Sequence, residues 1–189
     1  MISAKLGHSL DRSLTPLAKL IPVSPNVLSV TGFVITLAAA AIIPFKARGG
    51  GVLIMAGGAF DLLDGVVART HGKDTRFGAL LDSTLDRYAD AALFIAVAWF
   101  FFKQNNMSGA LLAVGALVGA FLISYVRARA EGLGIGSNVG LMERPERIIL
   151  LATACLTGWF FPVIIILFVF SHITVIQRVV HVYKVSSRK

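Results

Sequence analysis

Five aspartates draw attention because of their surroundings. Asp61, Asp64, Asp82, Asp86 and Asp90 are half of the 10 acidic residues, and they fall inside otherwise apolar stretches. One Asp at the centre of a membrane helix costs about 2.5–3.5 kcal/mol on insertion scales, so five facing lipid are untenable. They must face a wet cavity, pair with cations or bind metal. Their spacing favours metal. Asp61 and Asp64 are three residues apart and Asp82 and Asp86 four apart, so each pair shares a helical face about one turn apart. At about 100° per residue, Asp61, Asp64, Gly65 and Ala68 fall in one narrow arc, and Gly78, Asp82 and Asp86 do so on the next helix. The connection over residues 70–76 is short, which predicts antiparallel neighbours whose carboxylates meet near one membrane surface. Four converging carboxylates repel unless divalent cations neutralise them, and oxygen-only donors suit Mg²⁺ or Mn²⁺. The small residues Gly65, Ala68 and Gly78 would let a bulky anionic ligand approach the backbone. Arg69, Lys73, Thr75 and Arg76 at the mouth suit phosphate.

The elements that must position these groups are membrane helices. Of 189 residues, 56% are hydrophobic and only 15% charged, with mean hydropathy +0.79. A soluble domain carries about a quarter charged residues, so disorder, a coiled coil and an ordinary cytosolic enzyme are excluded. A bilayer span needs about 20 apolar residues. Six segments qualify, some only with polar residues inside: about Pro25 to Phe45, Gly51 to Arg69, Phe77 to Phe102, Ser108 to Arg129, Pro145 to Phe160 and Pro162 to Tyr183. A tight turn near Phe161 and Pro162 separates the last two. No segment has a strand signature, so the fold class is an all-α integral membrane protein.

Ahead of the spans, the chain lacks the apolar core and cleavage site of a signal peptide. Ile2, Leu6, Leu10, Leu14 and Leu17 instead recur at helical spacing. This predicts an amphipathic surface helix over residues 1–23, kinked or ended by Pro16, before a six-helix core over 24–184, all one domain. The net charge of +8 fits cytoplasmic loops and anionic lipid, not nucleic acid. With the N-terminus inside, fourteen Lys and Arg face the cytoplasm and only Lys46, Arg48 and Lys103 lie outside. Both termini and the aspartate cluster are then cytoplasmic. The single Cys155 excludes an intrachain disulfide and reads as a small helix residue.

The string Asp61-x2-Asp64-Gly65-x2-Ala68-Arg69-x8-Gly78-x3-Asp82-x3-Asp86 resembles the signature of the CDP-alcohol phosphotransferase family at every fixed position. The resemblance covers nearly the whole chain. Residues 24–29 look like the segment that opens the first span and touches the nucleotide. Residues 121–131, Glu143-Arg-Pro-Glu-Arg147 and Gln177-Arg178 look most like the branch that makes phosphatidylinositol phosphate or its archaeal counterpart. Arg127 stands where that branch commonly has Lys, which keeps the charge but not the geometry. The family resemblance implies transfer of a phosphatidyl-type group from a CDP-linked lipid to an alcohol, with CMP leaving and no phosphoenzyme. It implies Asp61, Asp64, Asp82 and Asp86 as ligands of Mg²⁺ or Mn²⁺, two ions in all, with Asp86 also the general base. Asn26, Ser29, Gly65, Ala68, Arg69, Thr75 and Gly78 would contact the CDP-lipid. Arg127, Arg144 and Arg178 would grip the phosphate of the acceptor, expected to be inositol phosphate. A homodimer among membrane lipids is expected as well.

Glycerol 3-phosphate is the alternative acceptor. A cation or proton transporter could use an aspartate relay, although it would need polar groups through the full depth, and Ala91–Phe102 carries none. Asp90 lies beyond the signature and reads as paired with a neighbour such as Arg87. Gly132, Gly134, Gly136 and Gly140 follow no strand, so they make a flexible connection and not a dinucleotide site. His8, His71, His172 and His181 have no metal-ligand spacing.

Overall fold

The computed structural model describes residues 15–19, 22–72, 75–137 and 139–187. Six helices form the body: α1 (Pro25–Ile42), α2 (Ala47–His71), α3 (Arg76–Lys103), α4 (Met107–Gly132), α5 (Arg144–Thr157) and α6 (Phe160–Ser186). There is no strand among the described residues. Residues 15–19 form a helical turn ahead of α1, and it contains Pro16. The remainder of the expected amphipathic helix, residues 1–14 with Ile2, Leu6, Leu10 and Leu14, lies outside the described residues.

Local chemistry explains the helix ends. Pro25 starts α1, where its missing N–H has no partner to lose. Thr75 caps α3 by accepting from the Gly78 N–H at 2.9 Å, and Asn106 caps α4 by accepting from the Gly109 N–H at 2.9 Å. Gly72, at φ +60°, ends α2, and Gly158, at φ +84°, ends α5.

The break between the last two helices therefore lies at Gly158 and Trp159, not at Phe161 and Pro162. Pro162 sits in the first turn of α6, where an absent N–H is tolerated. The helix α5 is short. Its 14 residues span about 21 Å, less than a bilayer core of about 30 Å. Four helices, α1, α2, α4 and α6, are long and apolar enough to cross a membrane. The 28-residue α3 is long enough but carries the charged residues Asp82, Asp86, Arg87 and Asp90.

Packing joins the helices in a ring, in the order α1, α2, α5, α6, α4, α3 and back to α1. The helices α2 and α3, expected to be antiparallel neighbours whose carboxylates meet, do bring Asp61, Asp64 and Asp82 together. The two helices do not form a packed pair; each leans on α1 instead. The gap left between them is where their carboxylates face each other. Small residues draw the ring tight elsewhere. A Cβ on Gly51 of α2 would stand 2.9 Å from Cys155 Cβ and 3.2 Å from the Ala152 carbonyl of α5.

The apolar core fills the end of the bundle away from the aspartates. Leu93, Phe94, Val97, Phe101, Leu151, Phe160, Ile164 and Leu167 are buried there, and Phe100 stacks on Phe160 at 4.0 Å. Val27, Val34, Val52, Ile95, Leu111, Val118, Ile149 and Ile176 are exposed on the outside. An outer surface so rich in apolar side chains suits lipid.

Candidate active site

Asp61 and Asp64 project from the C-terminal half of α2, and Asp82 from the N-terminal half of α3. The gap between the helices brings the three together, with one carboxylate oxygen of each within 4.8 Å of the others. Asp64 is buried and accepts a hydrogen bond from Ser29 Oγ at 2.5 Å. The Ser29 hydroxyl also approaches the Pro25 carbonyl at 3.2 Å, so the opening turn of α1 is tied to the cluster. These three hard oxygen donors fit a small divalent cation.

Asp86, one turn further along α3, stands outside that trio. Its Oδ1 lies 2.9 Å from Arg144 Nη1, and its Oδ2 lies 3.6 Å from Arg87 Nη1. Arg144 also reaches Asp61 Oδ2 at 2.5 Å through the same nitrogen. The guanidinium of α5 is therefore wedged between one carboxylate from α2 and one from α3.

Among the cavities that border the carboxylates, two are lined by the residues expected to meet the substrates. The first has a volume of about 270 Å³ and lies between α1, α2 and α3. All seven residues expected to meet a CDP-lipid, namely Asn26, Ser29, Gly65, Ala68, Arg69, Thr75 and Gly78, line it alongside Asp64 and Asp82. Two glycines keep it open. A Cβ on Gly65 would press on Arg69 Nη1 at 3.2 Å, and one on Gly78 would sit 2.9 Å from Thr75 Oγ1 and 3.2 Å from Asn26 Oδ1.

The second cavity, about 520 Å³, lies between α3, α4, α5 and α6. Arg127, Arg144 and Arg178, expected from three different helices, all line it, and Arg87 and Arg147 join them. The three are held differently. Arg127 is exposed and paired with Glu131 at 2.9 Å. Arg178 is only 2% exposed; its Nε donates to the Val139 carbonyl and its Nη1 to the Ile123 carbonyl, each at 2.8 Å. Arg144 faces the carboxylates as described.

Two pairings escaped the sequence reading. Asp90 does not pair with Arg87, whose guanidinium donates to the Ser83 carbonyl at 2.8 Å. Its partner is Arg147 of α5, at 2.6 Å and almost fully buried. The spacing of Arg144 and Arg147, three residues apart on one helical face, was the available signal. Glu143, which the resemblance placed only within a family segment, stands 3.7 Å from Arg178 Nη2 in the wall of the larger cavity.

The transporter alternative finds no support in this arrangement. Beyond Asp90 the bundle is filled by Phe94, Phe101 and Phe160, and among the described residues no chain of polar groups continues from the carboxylates.

The family model for CDP-alcohol phosphatidyltransferases matches residues 22–183. The archaetidylinositol phosphate synthase of Methanothermobacter thermautotrophicus is 38% identical over 183 residues, covering 92% of this chain and 90% of the relative. The crystal structure of Mycobacterium tuberculosis phosphatidylinositol phosphate synthase with CDP-DAG bound superposes with a TM-score of 0.83 at 33% identity. That match covers 91% of this chain and 94% of that one. The same enzyme in complex with manganese and citrate matches with a TM-score of 0.75 at 30% identity, over 94% and 88% of the two chains.

Proposed function

The chain belongs to the CDP-alcohol phosphatidyltransferase family, and on that premise we propose that it makes an inositol-phosphate lipid from a CDP-linked lipid. The acceptor is a phosphorylated inositol, and CMP is the leaving group. One observation carries this reading. The two cavities share Ala79 and Asp82 as wall, so a nucleotide in the smaller one and a phosphorylated alcohol in the larger one meet at the carboxylates.

The residues divide the work accordingly. Asn26, Ser29, Gly65, Ala68, Arg69, Thr75 and Gly78 seat the CDP portion, with Gly65 and Gly78 admitting it close to the backbone. Asp61, Asp64 and Asp82 hold Mg²⁺ or Mn²⁺, two ions with Asp86 as a further ligand. Bound there, the cations supply positive charge for the pyrophosphate and for the departing CMP oxygen. Asp86, between the trio and the larger cavity, accepts the proton of the acceptor hydroxyl. The oxygen of that hydroxyl bonds to the lipid-side phosphorus as the bond from this phosphorus to CMP breaks. Arg178, held by two carbonyls, and Arg127 and Arg144 present guanidinium groups to the acceptor phosphate, which suits their forked donors. The same placement disfavours free inositol, which has no dianion to offer them.

The wider setting belongs to the same proposal. Residues 24–184 form one catalytic membrane domain with six spans, α3 and the short α5 among them, the bilayer thinning beside α5 to match its length. The protein sits in the cell membrane as a homodimer with both termini and the active site on the cytoplasmic side.

Two tests follow. Purified protein given CDP-lipid, inositol phosphate and Mn²⁺ should release CMP, and a chelator should abolish the release. Metal-independent release would remove the carboxylate trio from the reaction. Gly78→Ala should raise the KM for CDP-lipid by about tenfold or more. The added methyl displaces the Thr75 cap and Asn26 together, and an overpacked site costs about 1–3 kcal/mol. Its effect on the KM for inositol phosphate should be small, because Gly78 does not line the larger cavity.

A further inference from the structure

One guanidinium lies where the proposed metal ligands and the acceptor cavity meet. Arg144 Nη1 contacts both Asp61 Oδ2 and Asp86 Oδ1, while the side chain also lines the 520 Å³ cavity. A second partner waits nearby. Asp90 Oδ1 is buried without a hydrogen bond, and so is Arg144 Nε; the two stand 4.0 Å apart. The other Asp90 oxygen is already engaged by Arg147 at 2.6 Å, so Asp90 is fixed in place. A movement of about 1 Å would bring Arg144 within hydrogen-bond range of its vacant oxygen.

We propose that Arg144 is a displaceable counter-cation that couples loading of the divalent ion to binding of the acceptor phosphate. This rests on the metal-site reading above. Without the ion, Arg144 neutralises Asp61 and Asp86, which would otherwise repel each other and Asp82. A cation at those carboxylates takes the lone pairs that Nη1 occupies and repels the guanidinium. Arg144 then moves onto Asp90 Oδ1 and turns its released N–H groups to the cavity, where the acceptor phosphate receives them. Because coupling between sites is reciprocal, an acceptor phosphate that draws Arg144 away also tightens the hold on the ion. A purely structural ion pair predicts neither effect.

The test reads ion binding, not turnover. Free Mn²⁺ is followed by electron paramagnetic resonance as it titrates full-length purified protein, with and without inositol phosphate and in the absence of CDP-lipid. Arg144→Gln should bind Mn²⁺ about five- to a hundredfold more tightly than wild type, the usual range for coupled sites. Arg127→Gln, which removes an exposed charge from the same cavity, should change Mn²⁺ affinity little. Inositol phosphate should tighten Mn²⁺ binding to wild type but not to Arg144→Gln. Equal affinity of wild type and Arg144→Gln, or an equal gain in Arg127→Gln, would overturn the coupling and leave the metal site standing. If Arg144→Gln does not fold, wild type decides alone: no response of its Mn²⁺ affinity to inositol phosphate overturns the proposal. Absence of Mn²⁺ binding in every form would instead overturn the metal-site reading itself.

Discussion

Asp86→Asn is expected to bind CDP-lipid almost as wild type does while its turnover falls by about 10²- to 10⁴-fold, the range for loss of a general base. The expectation comes from where Asp86 stands. It lines the larger cavity but not the smaller one, so it reaches the acceptor side of the reaction without forming the nucleotide seat. It is also the one signature carboxylate outside the trio whose oxygens gather within 4.8 Å. Asparagine keeps the size and the hydrogen-bonding capacity towards Arg144 but cannot take a proton. The checking experiment pairs a CDP-lipid binding isotherm with a CMP-release rate. Near-normal turnover would remove Asp86 from the proton step. Equal losses of binding and rate would make it a nucleotide residue.

The second large effect is on stability. Arg147→Met should destabilise the protein by about 3–5 kcal/mol, because it leaves the buried Asp90 carboxylate without its 2.6 Å partner. Arg147 is 2% exposed and Asp90 3%, so water cannot replace the lost contact. The double variant Arg147→Met with Asp90→Leu should recover much of the loss, since replacing both members of a buried pair by apolar groups is often neutral. Thermal unfolding of wild type, both single variants and the double in one detergent measures the coupling. A double variant that loses the sum of the two single losses would show that the pair does not act as a unit.

The asymmetry between what could and could not be read in advance has a physical origin. Helical periodicity and capping act within a few residues, so the ends of α2, α3 and α4 fall close to the expected spans, and the Asp61–Asp64 and Asp82–Asp86 pairs share faces as expected. The seven residues expected to meet a CDP-lipid line one cavity because their spacing fixes them to inward faces of α1, α2 and α3. Contacts between distant segments depend on the order of the helices around the ring. That order places α1 against both α2 and α3 and holds the last two apart, which no spacing within residues 61–86 discloses. Nor could the sequence show that Arg144 would turn to Asp61 and Asp86, 83 and 58 residues away, or that Asp90 would choose Arg147 over the adjacent Arg87. The early stop of α5 was visible in Gly158, but Pro162 is the stronger breaker in the abstract. It is harmless here only because it falls in the first turn of a helix.

In the proposed reaction the arginine-lined cavity selects a phosphorylated inositol as acceptor. The most direct measurement is the rate of CMP release by purified protein with CDP-lipid and Mn²⁺, across inositol phosphate, free inositol and glycerol 3-phosphate. Three arginines around one phosphate should make inositol phosphate the best of the three. Free inositol should fall behind by at least about tenfold in kcat/KM, since one charged hydrogen bond contributes about 1.5–3 kcal/mol. Faster release with free inositol or glycerol 3-phosphate would contradict the acceptor assignment while leaving the CDP-lipid chemistry in place.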